Sequence, residues 1–194
     1  MTKNSGLGKR WLQPIPKIED PGLGDLRPLM LVEVTRKIWV GLIMNKIAKF
    51  WKKSGLIDDA QHAYIRGKGT HTAIPQLTSC LEGAKEFKTS IYISSWDMKR
   101  AFDSLGRRFI IRCLVRLHIP LGLASFLTSL DEGGDVFVKC PKNLKIAEKG
   151  LAALDDEEEK LQTGRGTGQG DIPSPLLWVA ALDTLLNILR KHKS

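Results

Sequence analysis

A carboxylate at the end of a short apolar run is the first candidate for chemistry in this sequence. The run Ser90–Trp96 is rich in β-branched and aromatic residues, which predicts a strand, and Asp97 follows it directly. A carboxylate at the rim of a sheet can hold a divalent metal ion beside a substrate phosphate. Phe102, at the start of the next predicted helix, can wall the same pocket. A plain strand-to-helix junction, capped by Asp103 or Ser104, is the structural alternative.

A glycine-rich stretch is the second candidate. Glycines at 164, 166, 168 and 170 lead to Ser174-Pro175, a pair typical of a helix start. Glycines let the backbone approach a ligand closely, and the first turn of a helix offers unpaired amide donors. The spacing is GxGxG and not the GxGxxG of dinucleotide folds, while Gly67-Lys68 is followed by glycine instead of the Ser or Thr of a P-loop. Both of those nucleotide sites are excluded.

Charge and composition narrow the class of protein. The chain has 194 residues, 42% of them hydrophobic, and a formal net charge of +9. An ordinary globular protein with a polyanionic partner is one interpretation, and a basic protein without such a partner is the other. The three cysteines are far apart, and no secretory signal or membrane-length apolar run occurs. We therefore expect an intracellular protein, nuclear or cytoplasmic.

Helical periodicity predicts the elements around these candidates. Helices are expected at 35–53, capped by Thr35, at 70–87, around 109–117, from Pro120 to Leu130, and from Ser174 almost to the C-terminus. On the first helix the expected apolar face comprises Ile38, Leu42, Ile43, Ile47 and Phe50. The opposite side carries Arg36, Lys37, Lys46, Lys49, Lys52 and Lys53. That basic side is either a solvated face or a stripe that contacts nucleic-acid backbone.

Strands are predicted before, between and after these helices. Prolines and glycines within 11–31 suggest extended pieces around a turn, the first of them ending at Lys17. The run 135–140 alternates like a strand, and a second strand is expected to return near Leu161 after an acidic loop at 155–159. Strands and helices without regular βαβ alternation predict an α+β fold.

Four blocks of sequence, taken in order, resemble the successive motifs of reverse transcriptases, most closely those of non-LTR retrotransposons. They are RPLML at 27–31, QHAYIRGKGT at 61–70, WDMKRAFD at 96–103 and GTGQGDIPSP at 166–175. The resemblance extends from about Trp11 to Leu189. It implies a right-hand polymerase with fingers at 1–90 and 119–165 and parts of the palm at 91–118 and 166–194.

The resemblance also implies roles for individual residues. Asp97 would be the first catalytic, metal-binding aspartate, with the carbonyl group of Met98 as a further metal contact. Phe102 would be the aromatic gate beneath the sugar, where a 2′-hydroxyl collides with the ring.

Other blocks imply contacts to the substrates. Arg27, with Lys17 across the turn, would grip the triphosphate, and Gln169 and Gly170 would lie along the incoming nucleotide and the template. Arg66 and Lys68 would contact the template strand. The sequence departs from the family at two positions: Ile65, in the block at 61–70, replaces a frequent arginine, and Gly168, in the block at 166–175, replaces a common basic residue.

The implied reaction is RNA-templated addition of deoxynucleotides to a primer 3′-hydroxyl, with two Mg²⁺ ions as cofactors. The implied partners are an RNA template, a DNA primer and deoxynucleoside triphosphates, without a membrane. The paired aspartates of the next family motif, the YxDD type, do not occur between Ser174 and Ser194. We therefore expect an N-terminal fragment of a reverse transcriptase domain that is inactive alone. A non-catalytic RNA- or DNA-binding remnant of a retroelement is the alternative.

Overall fold

The described part of the chain begins with two strands and a long helix. The computed structural model describes residues 10–17, 26–98, 101–130, 136–138, 160–161 and 166–191. Its elements, in chain order, are β1 Arg10–Pro16, β2 Leu26–Val32, α1 Val34–Lys53, α2 Thr70–Glu86, α3 Ala101–Ser104, α4 Arg107–Arg116, α5 Leu121–Ser129, β3 Val136–Val138, β4 Lys160–Leu161 and α6 Ser174–Lys191. This mixture confirms the predicted α+β class.

The described strands form one sheet in the order β2-β1-β3-β4. β1 pairs antiparallel with β2 over the whole length of both strands, and parallel with β3, which pairs antiparallel with β4. The extended pieces predicted on both sides of the first turn are confirmed, and so are the strand within 135–140 and its return near Leu161. The turn at 18–25 and the acidic loop predicted at 155–159 lie outside the described residues.

Helices α1, α4, α5 and α6 share the main hydrophobic core. Its largest buried side chains include Trp51, Ile110, Leu114, Leu127 and Leu177. The indole N–H of Trp51 donates a hydrogen bond to the carbonyl group of Leu117 at 3.1 Å, so its polar atom is satisfied inside the core. A smaller cluster, Met30, Val32 and Val136, lies on the sheet. No helix in the described ranges is long and apolar enough to cross a membrane.

The predicted helices are confirmed within about one to three residues at their ends, but two details of α1 are wrong. Its N-cap is Glu33, without a side-chain cap bond, and not Thr35. Its buried face consists of Arg36, Val40, Met44, Ile47 and Trp51, whereas Ile38, Leu42 and Phe50 are exposed. Apolar residues occur on several sides of α1, so that two faces satisfy helical spacing, and tertiary contacts decide between them.

The strand predicted at Ser90–Trp96 is wrong. Residues 89–98 have no regular secondary structure, and Ile91, Tyr92, Ile93 and Trp96 are exposed. A strand needs a hydrogen-bonded neighbour, and no strand in the described part of the chain lies beside this segment. The preceding helix α2 contains no buried residue either.

Candidate functional site

The glycine-rich turn at 166–171 is held against α3 by its backbone. The N–H of Gly166 donates to the carbonyl group of Leu105 at 2.9 Å, and the N–H of Thr167 donates to that of Phe102 at 3.0 Å. A Cβ atom at Gly166 would lie 2.7 Å from Asp103 Cα, and φ there is +83°. Because the two backbones touch, this position requires glycine.

The other side of the turn lies against β2. The carbonyl group of Gln169 accepts a hydrogen bond from the N–H of Met30 at 2.7 Å. A Cβ atom at Gly168 would lie 3.0 Å from Met30 Cβ, and one at Gly170, where φ is +93°, would lie 2.7 Å from Leu29 Cδ1. The close approach to Met30 explains why a bulky basic side chain would not fit at position 168 without a shift. The turn therefore bridges α3 and β2.

The N-terminus of α6 completes the turn. The hydroxyl group of Ser174 donates to the carbonyl group of Gly168 at 2.7 Å, and the N–H of Leu177 donates to that of Pro173 at 3.0 Å. The predicted helix start is confirmed, but Ser174 fastens the turn with its side chain instead of capping an amide of the helix.

A buried ion pair fixes the end of the turn to α1. The guanidinium group of Arg36 bonds to the carboxylate of Asp171, and both side chains are almost fully buried. Arg36 Nη1 also donates to the carbonyl group of Leu130 at 2.8 Å, and Asp171 Oδ1 accepts from the N–H of Ile172 at 2.8 Å. The interpretation of Arg36 as part of an exposed basic stripe is therefore wrong. Neither residue was identified as part of a site from the sequence.

Phe102 lies between two other aromatic rings. Its ring centroid is 6.5 Å from that of Tyr64, at an interplanar angle of 66°, and 5.8 Å from that of Trp178, at 49°. Tyr64 comes from the loop between α1 and α2, and Trp178 from the first part of α6. Both were missed as site residues, although an aromatic residue inside the block at 61–70 was a usable signal for Tyr64.

The two basic residues predicted to bind phosphate lie at one end of the β1–β2 pair. Arg27 lies opposite Ile15 in the ladder, and Lys17 follows the last residue of β1, two positions beyond Ile15. Lys17 and Arg27 are thus diagonal neighbours across the strands, and both are exposed. Arg27 is three residues before Met30, on the strand that carries the glycine turn. Their role in phosphate binding stays a prediction.

The predicted template residues lie in a loop, residues 58–69, that is anchored to α6. The carboxylate of Asp183 accepts a hydrogen bond from the N–H of Asp58 at 2.6 Å, and Arg190 Nε lies 2.6 Å from Asp58 Oδ2. Within the loop, Lys68 Nζ donates to the carbonyl group of Asp59 at 2.8 Å. Arg66 is exposed. The ammonium group of Lys68 thus has an intramolecular partner, and the template role of both residues stays a prediction.

Asp97 and Met98 are exposed and lie outside this group of contacts. Among the described residues, Asp97 makes no hydrogen bond or ion pair. No group of three or more His, Cys, Asp or Glu side chains that could hold a metal ion occurs in that part of the chain either. Asp97 can therefore supply one carboxylate to a metal ion, and the described residues do not complete a site for two ions.

Of the residues predicted from the sequence, Phe102 is joined by its carbonyl group to Thr167 in the turn that carries Gln169 and Gly170, and Arg27 lies on the strand that this turn contacts. Among the contacts of the described residues, none joins Asp97 or Met98 to this group. Burial raises the pKa of the Cys113 thiol, while the hydrogen bond from Thr184 and the charge of Arg116 act in the opposite direction.

Comparison with known proteins connects this geometry to one family. The family model described as "Reverse transcriptase (RNA-dependent DNA polymerase)" matches residues 15–194. The Retrovirus-related Pol polyprotein from type-1 retrotransposable element R2 of Nasonia vitripennis is 28% identical over 92% of this chain, and that of Popillia japonica is 27% identical over 89%. The chain spans 16% and 22% of the length of these two relatives. Because the family model covers nearly the whole sequence, this chain belongs to the reverse transcriptase family.

Proposed function

We propose that this chain forms the nucleotide-binding part of an RNA-directed DNA polymerase, in which deoxynucleotides are added to a primer 3′-hydroxyl on an RNA template. The observation that carries the proposal is the double attachment of the glycine turn. Its backbone bonds to Phe102 on one side and to β2, the strand of Arg27, on the other. A nucleotide lying along Gln169 would thus have an aromatic ring near its sugar and a cation near its phosphates.

The architecture proposed for the complete protein is a right hand. Fingers would comprise 1–90 and 119–165, and the palm would include 91–118 and 166–194. The relatives are much longer than this chain, so that polymerase activity and its partners are proposed for a protein in which this chain is one part.

Phe102 is proposed as the sugar gate. Its ring is half-buried, with neighbouring rings on two sides, so it cannot move away without losing aromatic contacts. A ribonucleotide would bring its 2′-hydroxyl against this ring, whereas a deoxynucleotide has only hydrogen there. The preference for deoxynucleotides is thus a steric effect.

Four basic residues are proposed to neutralise phosphates. Arg27 offers a fork of donors suited to a triphosphate, and Lys17 adds a second charge at the same end of the strand pair. Arg66 and Lys68, on the loop at 58–69, would contact the phosphates of the template.

Mg²⁺ would supply charge neutralisation at the reacting phosphates, and Asp97 with the carbonyl group of Met98 would be its ligands in this chain. Because the described residues offer one carboxylate there and no metal-binding group of three, we propose that the chain by itself binds substrates without extending a primer. Primer extension that Asp97→Ala abolishes would contradict this.

Calorimetric titration of the chain with dATP, in the presence of a primed RNA template, tests the nucleotide site. Arg27→Ala should weaken dATP binding about tenfold, since a charge-assisted bond to phosphate is lost. Arg112→Ala, which removes an exposed arginine from α4, is the matched control and should change the Kd less than about twofold. Equal losses in both variants, or no dATP binding at all, would contradict the proposed site.

A non-catalytic nucleic-acid-binding remnant is the second candidate, and the exposed side of α1 favours it. Lys46, Lys49, Lys52 and Lys53 are all exposed along this helix. Such a remnant would bind RNA with an affinity that falls steeply with salt, because counterions are released, but would not bind dATP. The same titrations, repeated with RNA alone at several salt concentrations, distinguish the two candidates.

A further inference from the structure

The backbone of Tyr64 adopts an uncommon conformation. Its φ angle is +58°, in the left-handed region that side chains other than glycine rarely adopt. The surrounding loop holds it there: Gln61 is buried and donates to the carbonyl group of Ala63 at 3.1 Å, and the N–H of Lys68 donates to that of Ile65 at 2.9 Å. Such strain persists where neighbouring contacts enforce it, and it is concentrated at functional sites.

The Tyr64 ring is not part of the hydrophobic core. It is 54% exposed, and the aromatic ring that it meets is that of Phe102, at a centroid distance of 6.5 Å. Trp178 contacts the same Phe102 ring from α6, at 5.8 Å. Phe102 thus has one neighbour in a helix that belongs to the core and another in a surface loop.

Charged groups join the loop to α6. Tyr64 in the loop and Trp178 in α6, the two aromatic neighbours of Phe102, are therefore both positioned by that helix. Asp183 in α6 is fully buried and accepts the N–H of Asp58, and Arg190 in α6 pairs with the Asp58 carboxylate. The position of Tyr64 relative to Trp178 is thereby restricted, and with it the space left for the Phe102 ring.

We propose that Tyr64 is a positioning residue that determines sugar specificity: its ring holds the Phe102 ring in the orientation that excludes a 2′-hydroxyl. The inference rests on the proposed role of Phe102. Without Tyr64, Phe102 keeps Trp178 on one side and gains room on the side of the loop. The ring can then rotate away from a ribose, so ribonucleotides should gain affinity while deoxynucleotides change little.

The test compares the affinities of the chain for dATP and ATP in the presence of a primed RNA template, for the wild type, Tyr64→Ala, Tyr64→Phe and Phe102→Ala. Tyr64→Ala should lower the dATP/ATP affinity ratio about 3- to 10-fold, the size of an aromatic pair contact. Tyr64→Phe keeps the ring and should restore the ratio. Tyr92→Ala, which removes a tyrosine that is 95% exposed, should leave the ratio unchanged. Partial unfolding of a variant lowers both affinities together, so the ratio still reports on the gate.

The outcomes separate this inference from the proposed function. If Phe102→Ala lowers the ratio and Tyr64→Ala does not, the role of Tyr64 is refuted and the gate survives. If the wild type binds dATP and ATP equally, or Phe102→Ala leaves the ratio as it was, the gate is refuted together with the role of Tyr64. A Tyr64→Ala variant that loses both affinities by the same factor would also overturn the inference, because the ring would then act on the fold or on both nucleotides alike.

Discussion

Asp171→Asn is expected to destabilise the protein strongly, because it removes the carboxylate that faces Arg36 in the core. The side chains of Arg36 and Asp171 are 0% and 1% exposed. Asparagine has nearly the same shape, but when its carbonyl oxygen accepts the N–H of Ile172, its NH2 group takes the place of the oxygen that faces Arg36. The change therefore removes both the negative charge and the acceptor that Arg36 uses, without changing the volume of the side chain.

The magnitude follows from the burial of the pair. Breaking a buried ion pair by removing one partner costs about 3–5 kcal/mol. Arg36 retains its hydrogen bond to the carbonyl group of Leu130, so we expect a loss near the lower end, about 3 kcal/mol. Since the free energy of unfolding of a domain is about 5–15 kcal/mol, the variant should still fold, but its free energy of unfolding should be much smaller.

Urea unfolding followed by circular dichroism measures this loss. The matched control is Asp59→Asn, because the Asp59 side chain is 100% exposed and lies 3.6 Å from Lys68 Nζ. The control should leave the free energy of unfolding nearly unchanged, because solvent screens this exposed pair. The loss in Asp171→Asn should also persist in 1 M salt, since a pair inside the core is screened much less than one at the surface. A loss below about 1 kcal/mol, or one that disappears in salt, would refute the argument that the pair is desolvated.

Two further predictions concern the turn and the core. Gly166→Ala should lower the free energy of unfolding in urea by about 1–3 kcal/mol, because its Cβ would lie 2.7 Å from Asp103 Cα at a φ of +83°. The control Gly122→Ala, whose Cβ would meet nothing within 4 Å, should leave stability unchanged or slightly higher. Equal losses in the two variants would contradict the packing argument. Burial raises the pKa of the Cys113 thiol, so iodoacetamide at pH 8 should label Cys113 much more slowly than the exposed Cys80 in peptide mass mapping; equal labelling rates in the folded protein would show that Cys113 is accessible.

The family and most of the helices could be predicted from the sequence because their signals are local. Proline and glycine residues indicate the limits of the β1–β2 pair, and Ser174-Pro175 predicts the start of α6. The four motifs carry their own order and spacing, which needs no knowledge of tertiary contacts.

What could not be predicted depends on partners distant in the chain. In the sequence, Arg36 cannot be distinguished from the other cations of a basic helix, because its partner Asp171 lies 135 residues away. Tyr64 likewise meets Phe102 only after folding. The strand predicted at Ser90–Trp96 is wrong because its evidence was local. The composition of the segment favours a strand, but composition does not supply the neighbouring backbone that a strand requires.

The hydrogen bond between Met30 and Gln169 has a consequence for solubility. Among the described strands, β2 lies at one edge of the sheet, and an edge strand with open amide groups can recruit a strand from another molecule. The segment proposed to hold a nucleotide occupies one of those amides and covers part of that edge. Any event that lifts the segment away, a mutation or a partial unfolding, would uncover a surface suited to intermolecular β-pairing. Loss of the proposed nucleotide binding and a tendency to aggregate would thus be coupled in this protein through one stretch of backbone.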